Sequence, residues 1–94
     1  MAKSLEEQAM AEYERGMKEM EADRLEKALR HFERATEIWS GFVPARLARA
    51  NTLIQLERID EGMADMADTV AEFPDDFLAL FSWGSLLLVD GDYD

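Results

Sequence analysis

WGSLLLVDGDYD, Trp83 to Asp94, supports two incompatible readings. Asp90, Asp92 and Asp94 alternate as the first three ligands of a helix–loop–helix calcium site do, but the sequence holds only the opening of that motif, without its glycine and distal glutamate. The competing reading is periodic. Gly84 is the last of three small residues, Gly16, Ala50 and Gly84, set 34 residues apart. The same shift carries Leu25 to Ile59 to Tyr93, Ala28 to Gly62, Phe32 to Met66, Ala35 to Thr69, and Asp23 to Glu57 to Gly91. Apolar, small and turn residues share one period. Gly91-Asp92-Tyr93-Asp94 therefore reads as a turn between helices rather than a metal loop.

Helix signals fill the period. Ser4-Leu5-Glu6-Glu7 has the form of a capping box and starts a helix that runs to about Ala22. Asp23 breaks the pattern and is expected to cap a second helix, from about Arg24 to Trp39. Its apolar residues Leu25, Ala28, Leu29, Phe32, Ala35 and Ile38 recur at three- and four-residue steps. Gly41 is expected to stop that helix, and Pro44 suits the first turn of a third, which reaches about Leu56. A fourth starts near Asp60 and ends before Phe73, and a fifth covers Phe77 to Val89. The expectation is an all-α, antiparallel helix-hairpin stack of about five helices. It forms a single domain over 1–94, with units at about 9–42 and 43–76 and a half-unit at 77–94. In each unit a small residue on each helix allows close approach, and a larger apolar residue fills the gap between them.

Composition narrows the partners. The chain has 94 residues, 48% hydrophobic and 33% charged, with a net charge of −11. Such an acidic surface repels phosphate backbones and anionic membranes, so neither nucleic acid nor lipid is expected as a partner, and basic or apolar protein segments are. There is no cysteine and only one histidine, His31, so neither a thiolate nor a multi-histidine metal site can form, and no cofactor is expected. The most apolar run, Phe77 to Val89, spans 13 residues, too few to cross a bilayer. With no secretory signal visible, a cytoplasmic location is expected. The carboxylate pairs Glu6/Glu7, Asp65/Asp68 and Asp75/Asp76 are accounted for by the 21 acids present. His31 reads as a surface residue. No nucleophile elbow, phosphate loop or zinc-protease motif occurs, and no enzymatic activity is expected.

With these residues in view, the chain resembles the tetratricopeptide (TPR) repeat family over about two and a half repeats, from about residue 9 onward. Trp83-Gly84 and Gly91-Asp92-Tyr93-Asp94 are similar to the family's first-helix and turn wording, and Pro74 to its closing proline. The second unit departs from it: Arg46 and Arg49 stand where the family packs an aromatic residue and a leucine. The resemblance implies a groove lined by the first helices of successive units. Its residues would be Met10, Tyr13, Met17 and Met20 in unit one, Leu47, Asn51 and Ile54 in unit two, and Leu78, Phe81, Ser85 and Leu88 in unit three. Methionine is adaptable and suits such a surface, although core packing accounts for the methionine stripe equally well. One TPR subtype clamps an acidic peptide terminus with lysine, asparagine and arginine. The matching positions here are Tyr13, Met17, Ala48, Leu78 and Ser82, so that ligand is not expected. The resemblance implies a protein–protein interaction module, an adaptor or chaperone-like scaffold that takes an apolar, amphipathic or basic segment. The rival expectation is a homo-oligomer formed through the fifth helix, with Leu86, Leu87 and Tyr93 as contacts.

Overall fold

The computed structural model describes residues 3–90, with side chains of the last helix described as far as Ser85. Among these residues the chain forms five helices and no strand: α1 (Leu5–Glu21), α2 (Leu25–Ile38), α3 (Val43–Gln55), α4 (Ile59–Glu72) and α5 (Phe77–Asp90). Helices α1 and α2 pair, α3 and α4 pair, α2 packs on α3, and α5 lies against α3 and α4.

The helix starts are local chemistry. Ser4 accepts from the Glu7 amide at 3.1 Å and donates its own amide to the Glu7 carboxylate at 2.9 Å, which completes the capping box. Pro44 sits in the first turn of α3, where its missing N–H costs nothing. Asp76 accepts from the Ala79 amide at 3.0 Å and caps α5.

The turns depart from the sequence expectation in two places. Asp23 does not cap α2: Arg24 holds that position and no side chain makes the capping bond. Asp23 instead takes the left-handed conformation, φ 63°, as does Glu57 one repeat later at φ 66°. Left-handed backbone lets the chain reverse within two residues, and this conformation is what the turn position of the period conserves. Gly41 is not the stop of α2 either. Among the described residues no glycine has positive φ, and α2 ends where Trp39 turns extended, its ring stacked on Phe42 at 4.6 Å.

Two residues one repeat apart centre the packing. Phe32 in the first hairpin and Met66 in the second are fully buried, each worth about 1.5–3 kcal/mol of transfer free energy. Helix α1 contributes Ala9 and Gly16, which admit α2 closely; Leu5 is 63% exposed and contributes nothing to that face.

The arginines that depart from the family pattern tie α3 to its neighbours. Arg46 is buried, donates to both carboxylate oxygens of Glu72 (2.8 and 3.2 Å) and to the Ser40 carbonyl (3.1 Å), and lies over the Phe73 ring. Arg49 grips Asp65 through Nε (2.7 Å) and Nη2, and donates to Thr36 Oγ1 on α2 at 2.9 Å. Its guanidinium pKa is raised, first by the hydrogen bond to Asp65, against the opposing effect of burial. Two forked ion pairs thus join α3 to α4, and Arg49 also reaches α2.

Candidate partner-binding cleft

A cleft of about 290 Å³ opens between α1, α3 and α5, the first helices of the three units. Tyr13, Met17 and Met20 line it from α1, Pro44, Leu47, Ala48, Asn51 and Gln55 from α3, and Leu78 and Ser82 from α5. The α1 residues follow steps of four and three, one stripe of a helix. None of the ten is ionisable at neutral pH, in a chain that is one-third charged.

Six residues expected from the sequence, Tyr13, Met17, Met20, Leu47, Asn51 and Leu78, come together here. Of the other five, Met10, Ile54, Phe81 and Ser85 do not line the cleft, and the side chain of Leu88 lies outside the described residues. Met10 is on α1, 47% exposed, and Phe81 is on α5, 61% exposed. Ser85 is exposed farther along α5. Ile54 turns toward α4, its Cγ1 2.5 Å from where a Cβ on Gly62 would stand. The side chains of Leu86, Leu87 and Leu88, and all of Tyr93, lie outside the described residues.

Tyr13 has two roles. Its ring lies 5.8 Å from Phe32 and 5.3 Å from Phe42, so it belongs to the aromatic packing between the first hairpin and α3 as well as to the cleft wall. Met17 and Met20 are half-buried. Pro44, expected only as a helix start, and Gln55 also line the cleft. Both share the α3 face of Leu47, Ala48 and Asn51, and helical spacing from those residues reaches them.

Charge lies elsewhere. Glu12 accepts from Arg15 at 3.0 Å, sits 2.8 Å from His31 Nδ1, and has Arg34 at 3.7 Å. Burial works against its ionisation, but the hydrogen bond with His31 and the charges of Arg15, His31 and Arg34 outweigh it, and its pKa falls below the usual carboxylate value. This partly buried pair spans 19 residues of sequence, which is why His31 reads as an isolated surface residue there. Among the described residues no group of three or more histidine, aspartate or glutamate side chains could hold a metal ion, and no helix is long and apolar enough to cross a membrane.

A family model for the tetratricopeptide repeat matches residues 19–81, about two-thirds of the chain. The chain belongs to the tetratricopeptide repeat family. No curated protein and no solved structure gives a significant match. TPR repeats generally mediate protein–protein interaction and are typically non-catalytic scaffold modules. In this TPR chain all five positions that correspond to the subtype's clamp, Tyr13, Met17, Ala48, Leu78 and Ser82, line the cleft without a positive charge.

Proposed function

We propose that this TPR chain is an adaptor or chaperone-like module that holds an apolar or amphipathic segment of a partner protein in the cleft between α1, α3 and α5. The observation that carries this reading is the lining: no aspartate, glutamate, lysine, arginine or histidine, but two methionines and a tyrosine, on a chain with a net charge of −11. An uncharged floor rewards burial of apolar side chains, while the acidic surroundings attract basic residues and slow the approach of acidic ones. Met17 and Met20 adapt their rotamers to the segment, which favours a range of related partners over a single sequence.

The test uses synthetic amphipathic peptides of matched length in basic, neutral and acidic versions, titrated by fluorescence anisotropy. Met17→Glu and Leu78→Glu are the informative variants, because Met17 is half-buried and Leu78 is 45% exposed. Tyr13 is unsuitable, since its ring packs on Phe32 and Phe42. Binding of the basic and neutral peptides that weakens at least roughly tenfold in both variants is the expected result. Equal binding of the acidic peptide, or unchanged binding in both variants with the helical signal intact, would overturn the reading.

A further inference from the structure

The cleft has apolar walls and a polar floor. Met17 and Met20 wall it from α1 and Leu78 from α5, and α3, the first helix of the middle unit, forms the floor between them. Ala48, Asn51 and Gln55 follow one stripe of α3 at steps of three and four. Asn51 and Gln55 are exposed. Among the described residues, the α3 side chains that make hydrogen bonds within the protein are Arg46, Arg49 and Thr52; neither carboxamide is engaged. Each offers two donors and one acceptor. Neither stands at a position that corresponds to the acidic-terminus clamp, so the pair belongs to this chain and not to that subtype.

We infer that the cleft takes its partner segment in extended form, lying along α3 with one backbone edge on Asn51 and Gln55 and its side chains alternating toward α1 and α5. The inference rests on the cleft being the binding site. Its first support is spacing. Residues four apart on a helix are separated by about 6 Å along the axis. One edge of a strand presents an N–H and a C=O at every second residue, about 6.6–6.8 Å apart. Each carboxamide can therefore serve both groups of one residue, and the two together serve alternate residues. Ala48, one turn before Asn51, is short enough to let a backbone approach. The second support is the cost of the other arrangement. A docked helix has its backbone groups paired internally and would cover both carboxamides with apolar side chains, and burial of polar groups without partners is costly. The walls then define the side chains. In a strand successive side chains point to opposite sides, so one set meets Met17 and Met20 and the other meets Leu78. The segment is therefore apolar on both faces rather than amphipathic. From Pro44 to Gln55 α3 covers about 16 Å, the length of about five extended residues.

The probes are two fluorescent peptides of equal net charge, titrated into the full chain by anisotropy. One has five apolar, mostly β-branched residues between lysines; the other is a stapled helix with leucines at i, i+3, i+4 and i+7. Met17→Glu locates any binding in the cleft. The extended peptide is expected to bind at least roughly tenfold tighter than the helix. Methylating its amide nitrogens one at a time should weaken it roughly tenfold at alternate positions and little at those between. Asn51→Leu with Gln55→Leu should weaken it roughly tenfold or more with the helical signal intact, since both residues are exposed and leucine is a good helix former. The stapled helix should gain affinity in that double variant, because its floor has become apolar. Tighter binding of the stapled helix to the wild type, an extended peptide unaffected or strengthened by the double variant, or methylation effects without the two-residue period would overturn this inference and leave the cleft reading standing. Binding of neither peptide, or binding indifferent to Met17→Glu, would remove the cleft reading and this inference with it.

Discussion

Alanine at three glycines separates a helix contact from a repeat position. At Gly16 the added Cβ would stand 2.5, 2.7 and 3.0 Å from three carbons of the Phe32 ring. Carbon atoms settle at about 3.5–4.0 Å, so the ring must turn or the helices must part by about 1 Å. The ring is fully buried and its neighbour Tyr13 lies 5.8 Å away, which leaves it little room. Overpacking of this kind costs about 1–3 kcal/mol, offset by about 1 kcal/mol from replacing glycine with the better helix former. Gly16→Ala is expected to lose about 1 kcal/mol net. Gly62→Ala should lose more, about 2 kcal/mol, because its Cβ would also meet the Ala50 carbonyl oxygen at 2.8 Å, and backbone cannot rotate away. Gly84→Ala meets nothing within 4 Å among the described residues, keeps the propensity gain alone, and should be stabilising by up to about 1 kcal/mol. Urea unfolding followed by circular dichroism reads all three as midpoint shifts at constant slope. The reasoning is refuted if Gly16→Ala and Gly84→Ala shift the midpoint in the same direction. That result would mean the repeat period, not the neighbouring side chain, sets the cost.

Three further expectations come from the turns and the ion pairs. Asp23→Gly and Glu57→Gly should each raise stability by roughly 0.5–1 kcal/mol, since both residues hold left-handed backbone that glycine adopts without strain; thermal melts check this. Asp65→Ala should cost about 2–3 kcal/mol by leaving Arg49 half-buried without its carboxylate, whereas replacing both Arg49 and Asp65 with leucine should recover most of that in a double-mutant cycle. Glu12 has a lowered folded pKa, so its contribution is complete above the unfolded value of about 4.3 and disappears as pH falls through the lower folded value. The stability difference between wild type and Glu12→Gln should therefore shrink as pH falls below about 4.3 and vanish in more acid solution, as read from melts across that range.

What the sequence made legible was whatever repeats or lies within one turn of helix. The capping box at Ser4, Pro44 in its first turn, and the buried series Ala28, Phe32 and Ala35 depend on neighbours three or four residues away, and all appear in the structure. Half of what the turns do was hidden, because Asp23 reads as a cap by residue type while its backbone, not its carboxylate, is what the turn uses. The contacts of Arg46 and Arg49 were hidden for a different reason. Their partners Glu72 and Asp65 lie 26 and 16 residues on, and nothing in a 33% charged sequence marks which acids they choose. Family register places Ile54 in the groove. The structure turns it to α4, because Gly62 leaves a gap that a branched side chain fills.

The same register, carried to α5, exposes a difference between positional and physical equivalence. Gly16, Ala50 and Gly84 occupy one place in the period, but a small residue is required only where something approaches it. Phe32 approaches Gly16 and the Gly62 helix approaches Ala50, while Gly84 faces open space among the described residues. The third position therefore holds a small residue without a close neighbour among the described residues, beside Phe77 and Phe81, whose rings stack at 6.0 Å.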